Sequence, residues 1–221
     1  MPGIDNTAEA LPKGVGRATV EQTAATPYIK TEEQIRAARV GVLVPLVGLI
    51  QIVDYDPEWP RLFEREAERL RATLGDRVLL IEHVGSTSVP GLAAKPRVDM
   101  LLVVANSADE SAYVPALEAA AYVLRIREPN WYEHRVFKGP DTDINLHIFS
   151  LGCPEIDRML LFCDWLRSNA SDRRLYECTK WGLARQNWKY TQNYADAKTS
   201  VVEEILIRVQ GGSGEEVCKG D

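Results

Sequence analysis

Cysteine is scarce and scattered in this chain: four residues, Cys153, Cys163, Cys178 and Cys218, and no Cys-x-x-Cys pair. That spacing argues against both a disulfide framework and a thiolate zinc site, and points to a reducing, cytoplasmic compartment. Long apolar runs are missing as well. The most apolar stretch, residues 42–53, is broken by Pro45, Gly48 and Gln51, short of the ~20 residues that span a membrane. Residues 1–10 lack the cationic start and apolar core of a signal peptide. Positive charge is not in excess: 26 Lys and Arg against 32 Asp and Glu give a formal net charge of −6. General nucleic-acid binding, which needs a basic face, is therefore not expected. A local cation cluster for a nucleotide remains compatible with an acidic protein.

What is present describes an ordinary globular chain of 221 residues, 45% hydrophobic and 26% charged, long enough for one well-buried domain. Residues 1–30 have no periodicity and read as a flexible lead-in; residues 31–210 read as the domain; residues 211–221, rich in glycine and charge, read as an unstructured tail. Thr31-Glu32-Glu33-Gln34 fits a capping box opening a short helix. Asp56-Pro57 offers an N-cap with proline at the first helical position. Trp59, Phe63, Ala67, Leu70 and Leu74 then recur at helical steps to a stop at Gly75. Strands are expected at Val78–Val84, Val98–Val104, Tyr122–Arg127, Glu133–Lys138 and Asp143–Phe149. A capping box at Ser107–Glu110 opens a helix carrying Tyr113, Leu117 and Ala121. The last third is helical, with stripes at Ile156/Leu160/Cys163/Leu166, at Leu175/Thr179/Leu183, and at Tyr194/Val201/Val202/Ile205/Val209. Trp165, Trp181 and Trp188 are expected in the core. This order predicts an α/β (α+β) fold, a mixed sheet covered by helices.

Three segments can carry chemistry. The strand ending at Val84 runs into Gly85-Ser86-Thr87-Ser88, small residues whose backbone N–H groups and hydroxyls suit a phosphate and equally suit a plain tight turn. Asp99 opens an otherwise apolar central strand, where an unpaired carboxylate would cost several kcal/mol. Its compensation is a salt bridge to Lys95 or Arg97, a metal, or a reacting group. Asp143, Asn145 and His147 alternate with Ile144, Leu146 and Ile148, so they share one polar strand face that opens on a cleft or on solvent. His134, Arg135 and Lys138, just upstream, offer positive charge to a phosphate or carboxylate. All three histidines of the chain, His83, His134 and His147, fall in or beside these segments.

Residues 52–60 (IVDYDPEWP), Glu82–Asp99 (EHVGSTSVPGLAAKPRVD), Asn145–Ile148 and Tyr194–Lys198 closely resemble the GrpB family, the glutamate-rich protein group of bacterial and fungal proteins, over residues 31 to 210. The resemblance implies a nucleotidyltransferase-like mixed sheet flanked by helices, with a helical C-terminal third. In that superfamily a Gly-Ser turn holds nucleotide phosphates and strand carboxylates hold divalent metal. Carried over, Gly85 and Ser86 match the turn and Asp99 the first carboxylate. The second carboxylate position is Leu101, so the sequence lacks the Asp-x-Asp pair of a two-metal clamp. One metal on Asp99 and His147, with Asp143 as third ligand, is the expectation: magnesium or manganese, with zinc or iron as alternatives.

The expected site is thus catalytic Asp99, His147 and Ser86, with Gly85, Ser86, Thr87, Ser88, Lys95, His134, Arg135 and Lys138 around the ligand. The expected function is a metal-dependent transferase acting on a nucleotide or another phosphorylated small molecule. Two readings compete: a binding module that kept the fold and lost the chemistry, and a metal enzyme unrelated to nucleotides. A serine hydrolase built on Ser86 or Ser88 is the weakest, since no G-x-S-x-G elbow exists.

Overall fold

The computed structural model describes residues 28–212; most of the expected lead-in and tail lie outside the described residues. Five strands, β1 (Leu80–Val84), β2 (Val98–Val104), β3 (Val123–Glu128), β4 (His134–Lys138) and β5 (Ile144–Ser150), form one sheet in the order β1-β2-β5-β4-β3. β2 and β5 run parallel at its centre and the other pairs are antiparallel. Side chains alternate across a strand, so the central pair presents two different faces. Met100, Leu102, Leu146 and Ile148 enter the main core. That side is covered by α2 (Trp59–Leu74) and α3 (Val114–Ala119). Leu101, Val103 and Phe149 face α4 (Pro154–Ser168), packing on Ile156 and Cys163. Beyond α4, α5 (Ala170–Ala184), α6 (Thr191–Ala197) and α7 (Thr199–Gly212) complete the helical third. The expected mixed α/β sheet flanked by helices is what the chain forms.

Several local expectations shift. The Thr31 capping box is present: its Oγ1 accepts the Gln34 N–H at 3.3 Å and Gln34 Oε1 accepts the Thr31 N–H at 2.8 Å, opening α1 (Glu32–Ala38). Asp56-Pro57, in contrast, forms a turn before α2. Asp56 Oδ1 accepts the Glu58 N–H at 2.9 Å, and Pro60 is the proline in the first turn. Ser107 is not a helix cap. Its N–H and hydroxyl both engage Ser150 Oγ at 2.9 Å, tying the end of β2 to the end of β5. The stripe expected on α5 is one residue out of phase: Asp172, Tyr176, Lys180 and Ala184 are buried, and Leu175 is exposed. Trp181 is exposed as well. The C-terminal helical stripe is broken by Lys198 into two helices, and α7 runs through Gly212, into the residues expected as tail. The three cysteines described are free thiols. No described helix is long and apolar enough to cross a membrane.

Candidate functional site

The parallel pairing of β2 with β5 sets Asp99 beside Asn145 and Leu101 beside His147, all on the α4 side of the sheet. Asn145 Nδ2 donates to Asp99 Oδ1 at 2.7 Å, and His147 Nε2 lies 3.8 Å from the same oxygen. Val84 pairs with Asp99, which brings the following turn onto the carboxylate. Gly85 has φ +69°, and a Cβ there would stand 2.6 Å from Asp99 Oδ2. Glycine is required twice over, by its dihedral and by the approach of the carboxylate.

The turn after Gly85 is a single 3-10 turn, Ser86–Ser88, and it uses up two of its hydroxyls. Thr87 Oγ1 bonds His83 Nε2 at 3.0 Å; Ser88 Oγ donates to the Gly85 carbonyl at 2.8 Å. Thr87 and Ser88 are buried, whereas Ser86 is half-exposed. Ser86 is therefore the hydroxyl of the three left to a ligand. His83 belongs to the opposite face, stacked on Phe63 of α2, and burial pushes its pKa down to about 4.

Burial would raise the pKa of Asp99. The His147 imidazole, the Asn145 amide and the charge of Lys198 outweigh that and hold it at about 2, so the group is a carboxylate. Cations surround it. Lys95 is pushed down to about 8 by burial and by the neighbouring charges of Arg97 and Lys198. Lys138, also lowered by burial, bonds Asp143 at 3.0 Å, and Arg97 Nε bonds the same carboxylate oxygen at 2.8 Å. Lys95 and Lys198 both lie against the ring of Tyr194, at 5.8 and 5.1 Å from its centroid. The Tyr194 hydroxyl is buried without a hydrogen-bond partner, and burial raises it to about 12. A small cleft of about 150 Å³ opens beside Lys198, lined by Arg158, Tyr176, Ala195, Thr199 and Val202.

Two of the expected cations are otherwise engaged. Arg135 is buried on the other face, its Nε on Glu110 at 2.6 Å and its Nη2 on Glu133 at 3.1 Å. His134 is on the Asp99 side but buried, bonded to Glu128 at 2.9 Å and to His147 at 3.0 Å, and burial pushes it down to about 4. A neutral imidazole offers no positive charge to a phosphate. Lys198, Tyr194 and Glu128 carry no assigned site role in the sequence reading. The signal for the first two lay in the Tyr194–Lys198 segment; for Glu128, a strand-end carboxylate, there was none.

The residues implied for a metal do not fit one. Asp143 is spent on Arg97 and Lys138, and Leu101, in the second carboxylate position, is fully buried under α4. What remains is one carboxylate, one imidazole and an amide that donates to that carboxylate, among four cationic side chains. Among the described residues, no group of three or more His, Cys, Asp or Glu is disposed to hold a metal. A resident zinc or calcium ion requires more protein donors than this, and magnesium, which can make do with one or two carboxylates, would have to enter with its phosphate ligand among these cations.

The model of the family described as GrpB protein matches residues 49–208. A UPF0157 protein of Halalkalibacterium halodurans is 60% identical over 179 residues, covering 81% of this chain and 92% of that one. The crystal structure of the conserved protein GrpB from Enterococcus faecalis superposes with a TM-score of 0.65 at 30% identity, over 75% of this chain and all of that one. The structure of Cid1 in complex with its short product ApU gives a TM-score of 0.44 at 12% identity, over 58% of this chain and 42% of that one, a likeness of parts only.

Proposed function

The chain belongs to the GrpB protein family, and from that premise and the site geometry we propose that it binds a phosphorylated small molecule, a nucleotide among them, as a transferase substrate. The observation that carries this is the group of Lys95, Lys138 and Lys198, each close enough to feel the charge of Asp99, with Arg97 beside Lys95 and Lys138, at a glycine turn with no room for a Cβ. Counting Asp99 and Asp143 against these four cations leaves an excess of positive charge in an otherwise acidic protein. Half-buried cations attract an anion more strongly than the same charges in open solvent. Ser86, half-exposed, follows directly on the glycine that packs against Asp99. The transferase reading rests on the likeness of the Gly-Ser turn and Asp99 to the nucleotidyltransferase pattern. It needs no resident metal, since the lysines supply the charge that a metal would supply to phosphate oxygens.

The test is a thermal-shift titration of the full chain with adenosine triphosphate and the other nucleoside triphosphates, in excess chelator and then in magnesium. A ligand of the native state raises its melting temperature. The expected result is a rise with chelator present, kept in Asp99→Asn and lost in Lys95→Ala and Lys198→Ala. A rise that requires magnesium and disappears in Asp99→Asn restores the metal-dependent reading. No rise with any triphosphate at millimolar concentration removes the nucleotide from the proposal. The second reading, a module that binds without turning over, is favoured by the burial of Leu101; a product formed from the bound nucleotide rules it out.

A further inference from the structure

A chain of side chains crosses the sheet from its far edge to Asp99. Lys30 Nζ donates to Glu128 Oε1 at 2.6 Å, Glu128 Oε2 meets His134 Nδ1 at 2.9 Å, His134 Nε2 meets His147 Nδ1 at 3.0 Å, and His147 Nε2 faces Asp99 Oδ1 at 3.8 Å. The strands dictate the order. Glu128 and His134 are cross-strand partners on β3 and β4, and Val136, two residues on from His134, pairs with His147 on β5. The two imidazoles stack within 7° of parallel, and Phe149 and Trp131 enclose His134. Nothing in a resident anion site requires this apparatus on its far side.

The hydrogen bonds fix where the protons sit. Ionised Glu128 accepts only, so His134 places its proton on Nδ1 and leaves Nε2 as an acceptor. His147 must then donate from Nδ1, which leaves the lone pair of a neutral His147 on Nε2, toward Asp99 and the Gly85–Ser88 turn. The other charged groups facing His147 are Glu155 on α4, which Arg158 neutralises at 2.9 Å, and Asp99 itself. A charged His147 carries a proton on both nitrogens and steadies the Asp99 carboxylate; in the neutral ring the 3.0 Å contact of Nδ1 with His134 outweighs the pull of Asp99 across 3.8 Å, which is beyond hydrogen-bond distance.

We infer that Glu128 and His134 are positioning residues that hold His147 in its Nδ1–H tautomer, so that His147 Nε2 accepts the proton of a substrate hydroxyl. The inference deepens the transferase reading and rests on it, and it names the acceptor as a hydroxyl compound. In the step it describes, the hydroxyl oxygen forms a bond to phosphorus. The bond from phosphorus to its leaving oxygen breaks, that oxygen keeps the electron pair, and the hydroxyl proton moves to His147 Nε2. Lys30 lies outside the residues matched by the family model. It is anchored twice more, its N–H on Asp196 at 2.8 Å and its carbonyl on Asn193 at 3.0 Å.

The experiment is nitrogen NMR of the full chain carrying labelled histidine, at a pH about two units above the ordinary histidine value. His147 is expected to hold its proton on Nδ1 in the wild type. In His134→Phe, which keeps the stacked ring and removes the acceptor, the proton is expected to move to Nε2 or to average over both nitrogens. A wild-type His147 protonated on Nε2, or on both nitrogens, overturns the inference, as does an unchanged tautomer in a folded His134→Phe. That wild-type measurement stands even if the variant fails to fold. Acylation of imidazole by diethyl pyrocarbonate, mapped by mass spectrometry, supplies the second readout. His147 is expected to react and saturating adenosine triphosphate to suppress that reaction; bound nucleotide that leaves His147 unprotected overturns the inference. An Nδ1–H tautomer without any nucleotide binding, in contrast, removes the nucleotide reading and leaves the positioning of His147 intact.

Discussion

Gly85 and Asp99 are the pair on which the site depends at the scale of single residues. With φ at +69° and Asp99 Oδ2 standing 2.6 Å from where a Cβ would sit, Gly85→Ala has to strain its backbone and push the carboxylate off Asn145. It is expected to cost more than ~1 kcal/mol, read as a lower urea midpoint, and to reduce the nucleotide-induced thermal shift together with stability. The presence of Gly85-Ser86 and Asp99 was legible in the sequence, because a glycine after an apolar strand and an acid at the head of another are both local anomalies. The fate of the neighbouring hydroxyls was not. Thr87 is turned to His83 and Ser88 to the Gly85 carbonyl, and no spacing rule tells those two from Ser86. His83 stands beside the Gly-Ser turn in sequence, where a buried structural role is as compatible with its position as ligation; alternation along β1 sends it through the sheet to Phe63.

At the scale of elements, the phase of α5 separates what periodicity reveals from what packing selects. Leu175, Thr179 and Leu183 make the more apolar row on paper, yet Asp172, Tyr176, Lys180 and Ala184 are turned inward. The polar members of that row are satisfied there. Trp165 Nε1 donates to Asp172 at 2.7 Å, and Lys180 donates to the Ala93 carbonyl while lying 4.9 Å from the Tyr176 ring. Burial pushes the Lys180 pKa down to about 7. Tyr176→Ala is accordingly expected to cost about 3 kcal/mol and Leu175→Ala less than about 1 kcal/mol. Denaturant titration of the two variants checks the difference, and equal losses would put the stripe back where hydropathy alone sets it. The hairpin between β3 and β4 is also particular. Tyr132 and Glu133 both have positive φ, at 54° and 51°, a conformation side chains disfavour. It closes the loop that leaves Glu128 opposite His134.

For the molecule as a whole, buried titratable groups set the response to acid. His83 and His134 are both pushed down to about 4 by burial, so the native state keeps them neutral while the unfolded chain binds protons near 6.5. Their contribution to stability is complete above that value and falls as pH drops from about 6.5 toward about 4. Asp99 and Glu128, held at about 2, contribute stability that is present above the unfolded carboxylate values and is lost as pH falls from about 4 toward 2. Stability is therefore expected to fall over two successive pH intervals. Urea titrations at pH 7.5 and 5 should show a loss on the order of 4 kcal/mol, about halved in His134→Phe. A stability unchanged across that interval would mean that the histidines are already protonated in the fold.

The sequence by itself determined the mixed α/β class, the five strands, the amphipathic α2 and the Gly-Ser turn ahead of Asp99, because these follow from local periodicity, turn chemistry and misplaced polarity. Tertiary structure alone decided which polar groups meet. The parallel register of β2 on β5 set Asn145 and His147 on Asp99; the return of α6 and α7 brought Tyr194 and Lys198 to the same place. The antiparallel pairing of β3, β4 and β5 strung Glu128, His134 and His147 into one line. Such contacts join residues far apart in the chain, and strand register, which fixes them, is set by the packing of whole faces against one another rather than by any residue's neighbours in sequence.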